Sequence, residues 1–426
     1  MKNLAYLSVL TSLIAATAIS IDFGVFQLSL FRIIILMMIY VLVIKILLRG
    51  GKISLWNKNE NSYSIKFMII WMAYAIISLG WVKDYEGWIR AVYFLCLGVI
   101  CVVLFSKIFR SGIDILKAFK IMALMVILHN LIGWYEIISR NYLFLSFERV
   151  AKYARSNLPV SMFGNTNDFA TFMLFAVFIT YICAVNSKFP GKIIYYVTLG
   201  SSAYLLFMTG SRANILGLIL SFIMFAYLSM KNKKGRTAVL LFLAVLFVVL
   251  LLTPDTLYNF FMTLNERLYF RFSAQSGSDV TRMNLVKNGL NFLADTFGFG
   301  TGAGNIEYWM ANYRVYYTGT ITNIHNWWAE ILTGYGLLIF ILYVKFYIGL
   351  FLSIYRKYKR SDNKMHLSIS LGIMCSMVGF VIGSMSSSSN ISSEWLWMFW
   401  AVAVAYQGLG NDESTLATSK IELYPI

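Results

Sequence analysis

Charged residues are scarce in this sequence. They make up 13% of its 426 residues, whereas hydrophobic residues make up 59%; soluble domains carry about a quarter charged residues. Apolar stretches of about 20 residues recur along the chain, and each is long enough to cross a hydrocarbon layer of about 30 Å. The composition therefore excludes an ordinary soluble enzyme and predicts an all-α polytopic membrane protein.

Cysteine and histidine are also rare. All four cysteines fall inside apolar stretches, and no pair has the spacing of a metal ligand set: Cys96, Cys101, Cys183 and Cys375. The three histidines form no cluster with acidic residues that would hold a metal. The sequence thus indicates neither a disulfide framework nor a metal site, and we expect a site that works without metal or other cofactor.

Twelve transmembrane helices are predicted. They lie at about 5–22, 28–47, 64–82, 88–106, 116–138, 161–185, 191–209, 213–230, 237–252, 326–350, 366–385 and 393–409. This divides the chain into nine helices within 1–252, an extracytoplasmic loop at 253–325, three helices within 326–409 and a cytoplasmic tail at 410–426. The first stretch lacks a small-residue cleavage site before Asp22, so it is predicted to be a retained helix.

Lysine and arginine are concentrated in alternate connections, such as KILLRGGKISLWNKNENSYSIK and YRKYKRSDNK. Because basic connections stay in the cytoplasm, we expect these connections and both termini to lie inside, with the chain in the cytoplasmic (inner) membrane. The same asymmetry accounts for much of the net charge of +17. The charge therefore requires no nucleic-acid partner.

A second set of cations falls on the predicted outer side. The connection SRNYLFLSFERVAKYARSNLPV (139–160) holds one acid, Glu148, and four cations: Arg140, Arg149, Lys152 and Arg155. Three more cations lie at the outer ends of spans: Arg32, Arg90 and Arg212. Outer cations oppose the insertion rule, which indicates an anionic ligand at the outer face.

Arg212 opens a predicted span directly after Gly210 and Ser211. Arginine at a span end often only anchors the helix at the membrane interface. However, the first N–H groups of a helix attract phosphate, and a guanidinium offers paired donors that suit phosphate oxygens. We therefore expect Arg212 to hold a diphosphate at the outer leaflet, with simple anchoring as the alternative.

The stretch FGNTNDFATF (163–172) opens the sixth predicted span with three polar residues, Asn165, Asn167 and Asp168. Their amide and carboxylate groups can hydrogen-bond sugar hydroxyls. The alternative is helix capping by an asparagine, which we expect to account for one of the three.

The outer loop contains one predicted helix, SDVTRMNLVKNGLNFLADTFG, with Ser278 or Asp279 as N-cap. Its apolar residues repeat every three or four positions: Met283, Val286, Leu290, Leu293 and Phe297. We expect this amphipathic helix along the outer membrane surface or over a cavity. The glycine turn that follows, FGFGTGAGN (297–305), is predicted to be tight or to present N–H groups to a phosphate. The stretch SMSSSSNISSE (384–394) is interpreted as a polar loop.

His325, in NIHNWWAEILTGYG, lies at a predicted outer membrane boundary. A neutral imidazole there can accept a proton from an attacking hydroxyl. Glu330, five residues later, is expected to orient the histidine or to pair with an arginine. His129, inside an apolar span, is expected to be a hydrogen-bonded core residue, and His366 has no expected role.

Five stretches together resemble motifs of the bacterial O-antigen ligase and polymerase superfamily: FGNTNDFA, TGSRANILG, TRMNLVKNGLNFL, FGFGTGAGN and IHNWWAEILTGYG. The resemblance covers about residues 155–340 and implies a fold similar to that of other lipid-phosphosugar (GT-C type) glycosyltransferases. It implies a glycan donor on a polyprenyl diphosphate, an acceptor glycan or lipid, and transfer with inversion and without a metal. It also implies catalytic roles for His325, Arg212 and Glu330, and substrate-binding roles for Arg155, Arg282, Asn165, Asn167, Ser211 and Asn326.

Three functions remain open at this point. A polymerase joins lipid-linked repeat units, a ligase transfers a finished glycan to a different acceptor, and a flippase carries the lipid-linked oligosaccharide across the bilayer. A transporter should line a path through the membrane with polar residues, whereas the candidate residues here gather on one side. We therefore expect a polymerase, with ligase as the next alternative and transport as the third.

Overall fold

The computed structural model describes residues 1–14, 20–22, 27–49, 61–145, 153–154, 157–230, 237, 278–387 and 390–410. The predicted span at 237–252 lies outside these residues, apart from position 237. Residues 253–277 of the predicted loop and nearly all of the predicted tail also lie outside them.

The described chain is helical apart from one short hairpin. The hairpin pairs β1 (Ser20–Asp22) with β2 (Gln27–Ser29) in antiparallel fashion, Ser20 opposite Ser29. The helices are α1 Lys2–Thr11, α2 Leu30–Arg49, α3 Ser62–Ile77, α4 Tyr85–Ile108, α5 Gly112–Ser139, α6 Thr166–Val185, α7 Gly191–Met208, α8 Arg212–Ser229, α9 Ser278–Asp295, α10 Ile306–Asn312, α11 Trp327–Arg360, α12 Lys364–Gly383 and α13 Glu394–Gln407.

Eight of the described helices are long and apolar enough to cross a membrane, namely α2, α3, α4, α5, α6, α8, α11 and α12. This agrees with an all-α polytopic membrane protein. The helix α13 has 14 residues, or about 21 Å at the helical rise per residue, which is short for a bilayer. The predicted number of twelve spans stays a prediction.

The predicted first span, 5–22, is wrong at its C-terminal end. The helix α1 stops at Thr11, and residues 20–22 form a strand of the hairpin instead. The apolar composition of this stretch does not distinguish a helix from a strand. Ser20 pairs with Ser29, which belongs to the second apolar run. A prediction that considers each apolar run by itself does not find this pairing.

The core is centred on α6, which is buried along most of its length. The ring of Phe175 lies 5.6 Å from Phe380, 5.2 Å from Trp395 and 4.6 Å from Phe399, measured between ring centroids. These contacts join α6 to α12 and α13. His129 of α5 is also fully buried, and its ring nitrogens contact Ser161 Oγ at 2.9 Å and the Leu13 carbonyl at 2.8 Å. The expectation of a core histidine is confirmed.

The long helix α11 is broken at Gly336, which has φ 77° and ψ 175°. The glycine turn (297–305) fills the break. The N–H groups of Thr301 and Gly302 donate to the carbonyls of Thr333 and Gly334 at 2.8 and 3.0 Å. A Cβ on Gly300 would lie 2.5 Å from the Gly336 nitrogen, so only glycine allows this approach. The alternative in which this turn presents free N–H groups to a phosphate is therefore wrong for Thr301 and Gly302.

The loop helix α9 confirms the predicted helix, and it packs on the protein through a face other than the predicted apolar one. Its position along the membrane surface stays a prediction. Leu285 and Phe292 are fully buried, against α10 and the segment before α11. Three residues of the predicted apolar face remain exposed instead: Met283, Leu290 and Phe297. The apolar periodicity identifies the helix, while the face that contacts the protein is marked by Leu285, Phe292 and the buried Asn288 between them.

Candidate functional site

The start of α8 is shaped by a tight turn. Gly210 has φ 70°, in the left-handed region that glycine tolerates, and the Ser211 N–H donates to Thr209 Oγ1 at 3.2 Å. Ser211 occupies the N-cap position but makes no capping hydrogen bond with its side chain. Arg212 is the first residue of the helix and is partly exposed. The helix dipole and Arg212 therefore place positive charge at one helix start, which is the arrangement that binds phosphate.

The Ser211 hydroxyl is turned inward, where it is buried. It lies 3.3 Å from Ser386 Oγ and accepts a hydrogen bond from Asn214 Nδ2 at 2.9 Å. Asn214 Nδ2 also lies 3.1 Å from Ser386 Oγ and 3.4 Å from the Asn167 carbonyl. Ser211 thus orders the turn that carries Arg212, and the turn contacts both the start of α6 and the segment after α12.

At the start of α6, Asn165 caps the helix. Its Oδ1 accepts from the Asp168 N–H at 2.8 Å, and its Nδ2 donates to the Asp168 carboxylate. The expectation that capping accounts for one of the three polar residues is confirmed for Asn165. Asn167 is in contact with the Ser211 turn through its carbonyl, so the structure brings the FGNTND and TGSRAN stretches together.

His325 lies in a tight turn before α11. Its backbone has φ 48°, and its N–H donates to Asn323 Oδ1 at 2.9 Å. Asn326 is the N-cap of α11, where its Oδ1 accepts from the N–H groups of Trp328 and Ala329 at 3.1 and 3.2 Å. The two asparagines fix the backbone on both sides of the histidine.

The His325 ring donates a hydrogen bond to the main-chain carbonyl of Ser387. Burial lowers the pKa of His325 below its usual value, and the positive charge of nearby Arg282, in the first turns of α9, lowers it further. The imidazole is therefore neutral at pH 7. With one ring nitrogen donating to Ser387, the other is left as an acceptor, which is what a general base requires.

The segment after α12, residues 384–387, connects these groups, and we call it the serine segment. Ser387 accepts from the His325 ring, Ser386 contacts Ser211 and Asn214, and the Ser384 carbonyl accepts from the Trp327 N–H at 3.1 Å. Sequence reasoning interpreted this stretch only as a polar loop. The available signal was its run of small hydroxyl residues between two apolar helices.

Glu330 lines a cavity of about 330 Å³. Three further carboxylates line it, those of Asp84, Glu86 and Glu307, and we call it the acidic cavity. Asn323 and Ile324 form part of its wall, whereas the His325 ring is directed to Ser387. The structure thus places Glu330 in the acidic cavity, next to the histidine turn. The expected role of Glu330 in orienting His325 stays a prediction.

The outer cations divide into three groups. Arg149, Lys152 and Arg155 lie outside the described residues. Arg32 is buried and pairs with Glu394 through Nε at 2.6 Å, and Arg90 pairs with Glu86 at 2.9 Å on the surface. Arg140 is the C-cap residue of α5, and Arg212 is the first residue of α8. Arg282, in α9, lies near enough to His325 to lower its pKa.

Trp327 and Trp328 follow the histidine turn, and aromatic rings at such a position can stack on sugars. Trp327 is buried, and its Nε1 donates to the Tyr343 hydroxyl at 2.8 Å. Trp328 donates from Nε1 to the Val381 carbonyl at 2.9 Å. Both rings serve packing between helices, and for Trp327 stacking on a sugar is excluded by burial.

Comparisons with known proteins show what the whole chain is similar to. A family model described as O-antigen ligase matches residues 197–344, which include Ser211, Arg212, Arg282 and His325. The chain is also 28% identical over 413 residues to the teichuronic acid biosynthesis protein TuaE of Bacillus subtilis (strain 168), covering 95% of this chain and 84% of that protein. The resemblance read from the five stretches is confirmed.

Proposed function

We propose that this chain, a relative of the O-antigen ligases and polymerases, is a polysaccharide polymerase of the cell envelope. It transfers a glycan from a polyprenyl diphosphate to a sugar hydroxyl of the acceptor, at the outer face of the cell membrane. The observation that carries this proposal is the serine segment, which joins the Arg212 turn to the histidine turn. Ser386 Oγ lies 3.3 Å from Ser211 Oγ, and the Ser384 carbonyl accepts from the Trp327 N–H at 3.1 Å.

The residues support a single displacement. The acceptor oxygen attacks the anomeric carbon, the bond from that carbon to the diphosphate oxygen breaks, and configuration inverts. The hydroxyl proton goes to the His325 nitrogen that does not face Ser387. The negative charge that develops on the leaving diphosphate is stabilised by Arg212, the α8 N-terminus and Arg282, so the step needs no metal.

The ligase is the second candidate, because the matching family model is described as O-antigen ligase. Both enzymes need the same donor site and differ in whether the acceptor is another lipid-linked repeat unit. The groups that bind diphosphate therefore do not separate them, and the acceptor does.

The deciding experiment incubates the purified protein with lipid-linked repeat units alone. Ladders of increasing length support the polymerase. Product that forms only after addition of a different acceptor supports the ligase. If wild-type protein gives no product under either condition, while the same lipid-linked units are extended by a known polymerase, the proposal is wrong.

A further inference from the structure

The acidic cavity shares a wall with the histidine turn. Asn323 and Ile324 line it, His325 is the next residue, and Asn323 Oδ1 holds the His325 N–H at 2.9 Å. Ile391 and Ser392, a few residues beyond the serine segment, also line the cavity. A molecule bound in the cavity therefore contacts the turn that presents the proposed base, through Asn323 and Ile324.

The lining changes from polar at the surface to apolar inside. Glu86, Arg90 and Glu307 are exposed, whereas Ile306 and Tyr335 are buried. The volume of about 330 Å³ is at the lower end of the range of small-molecule sites. Carboxylate oxygens accept hydrogen bonds from hydroxyls, and apolar walls pack against the C–H faces of a ring. This combination suits a terminal sugar.

The charge of the cavity is opposite to that of the proposed donor site. Among the described lining residues, Asp84, Glu86 and Glu307 bring carboxylates, and the one cation is Arg90, which is paired with Glu86 at 2.9 Å. A diphosphate or a sugar acid would meet like charge here, which raises the free energy of binding. The cavity therefore discriminates against the donor headgroup and favours a sugar without negative charge.

We propose that the acidic cavity is the acceptor subsite and that it binds an uncharged terminal sugar of the acceptor glycan. The carboxylates accept from its hydroxyls, and the attacking hydroxyl emerges at the His325 side. The role as acceptor subsite rests on the proposed glycosyl transfer, whereas binding of an uncharged sugar in the cavity does not require it.

The kinetic test uses a fixed lipid-linked donor and varies a soluble acceptor, either a neutral glucoside or the matching glucuronide. Glu307→Gln removes one carboxylate, and Ala91→Leu fills the cavity. Each is expected to raise the KM for the glucoside about tenfold, the effect of one charge-assisted hydrogen bond. A second series, which varies the donor at fixed glucoside, should give an unchanged donor KM. Asp295→Asn, an exposed acid of α9 outside the lining, is the matched control and should leave both values unchanged.

Hydrogen exchange provides a readout that does not depend on transfer. The glucoside should slow exchange at residues 303–307 and 323–325, the glucuronide should not, and Ala91→Leu should abolish the effect. If wild-type protein shows no transfer, the proposed function fails and this measurement alone decides the sugar site. An unchanged glucoside KM in both variants, or equal protection by the two sugars, would overturn the acceptor proposal.

Discussion

At the scale of single residues, the imidazole of His325 is controlled by two neighbours with opposite effects. The Ser387 carbonyl stabilises the protonated ring, whereas burial and the charge of Arg282 stabilise the neutral one. The net effect lowers the pKa of His325. Proton acceptance by this ring is therefore available throughout the neutral range and is lost only as the pH falls through that lowered value.

Arg282→Gln should move the acid limb of the pH–rate profile to higher pH. The substitution removes a positive charge that lowers the pKa of His325, so the ring becomes protonated at a higher pH than in the wild type. The measurement is kcat/KM against pH between 4 and 8. An acid limb at the wild-type position would show that His325 is not the titrating base, even if the rate itself falls.

Arg212→Lys should lower kcat/KM about tenfold or more, because one point charge replaces a planar pair of donors on the diphosphate. Steady-state rates with lipid-linked donor measure the loss. Arg314→Lys is the matched control, since Arg314 is an exposed arginine between α10 and α11 whose Nη1 donates to the Gly319 carbonyl at 2.7 Å. Equal effects of the two substitutions would count against a role of Arg212 at the donor.

At the scale of elements, close contacts between distant segments hold the site in place. The glycine turn is joined to the break in α11, and Asn305 Oδ1 accepts from the N–H groups of Lys83 and Asp84 at 2.8 Å each. The loop is thereby attached to α11 and to the α3–α4 connection. The buried Arg32–Glu394 pair attaches α2 to α13. This pair lies beside the acidic cavity, since Arg32 is 4.9 Å from the ring of Phe94, which lines that cavity.

Gly300→Ala should destabilise the fold by about 1–3 kcal/mol or more, since Gly300 has φ 80° and its Cβ would overlap the α11 backbone. Gly349→Ala, in the regular part of α11 where a Cβ meets nothing within 4 Å, should be neutral or slightly stabilising. Thermal unfolding in detergent compares the two. Equal unfolding temperatures would mean that the contact between turn and helix break is not formed.

Glu394→Gln should cost about 3–5 kcal/mol of unfolding free energy, because it leaves the buried charge of Arg32 without its ion-pair partner. Glu86→Gln breaks an exposed pair at i,i+4 spacing, which is worth no more than about 0.5 kcal/mol. Denaturation of the two variants gives the difference. If Glu394→Gln is no less stable than Glu86→Gln, the buried pair contributes nothing to holding α2 against α13.

At the scale of the whole molecule, the orientation across the membrane decides whether the site works on exported glycans. Thr320→Cys, in the loop before α11, should react with a membrane-impermeant maleimide on intact cells. Asp362→Cys, between α11 and α12, should react only after permeabilisation. Both need a Cys96→Ser background, since Cys96 is the least buried native cysteine. The reverse labelling pattern would put the proposed site in the cytoplasm.

Composition was enough to predict the helical membrane fold, and helical periodicity was enough to predict α9. His325 was singled out because histidine is rare in this chain and lies here at a predicted membrane boundary, whereas Arg282 was named only through the family resemblance. The serine segment was missed as part of the site, because Ser386 meets Ser211 across 175 positions and nothing local marks that contact. The pairing of Arg32 with Glu394 spans 362 positions and escaped notice for the same reason. Local pattern identifies elements and chemical types, while contacts between distant segments decide which cations form buried ion pairs.

The hydrogen bonds between the glycine turn and the break in α11 have a consequence for how such proteins can be recombined. Thr333 and Gly334 have their carbonyls satisfied by a segment more than thirty positions upstream, so the two stretches must be inherited as one unit. A chimaera joined between positions 305 and 330 would combine the turn of one parent with the helix of another. Crossovers placed before the turn or after Gly336 keep that unit whole.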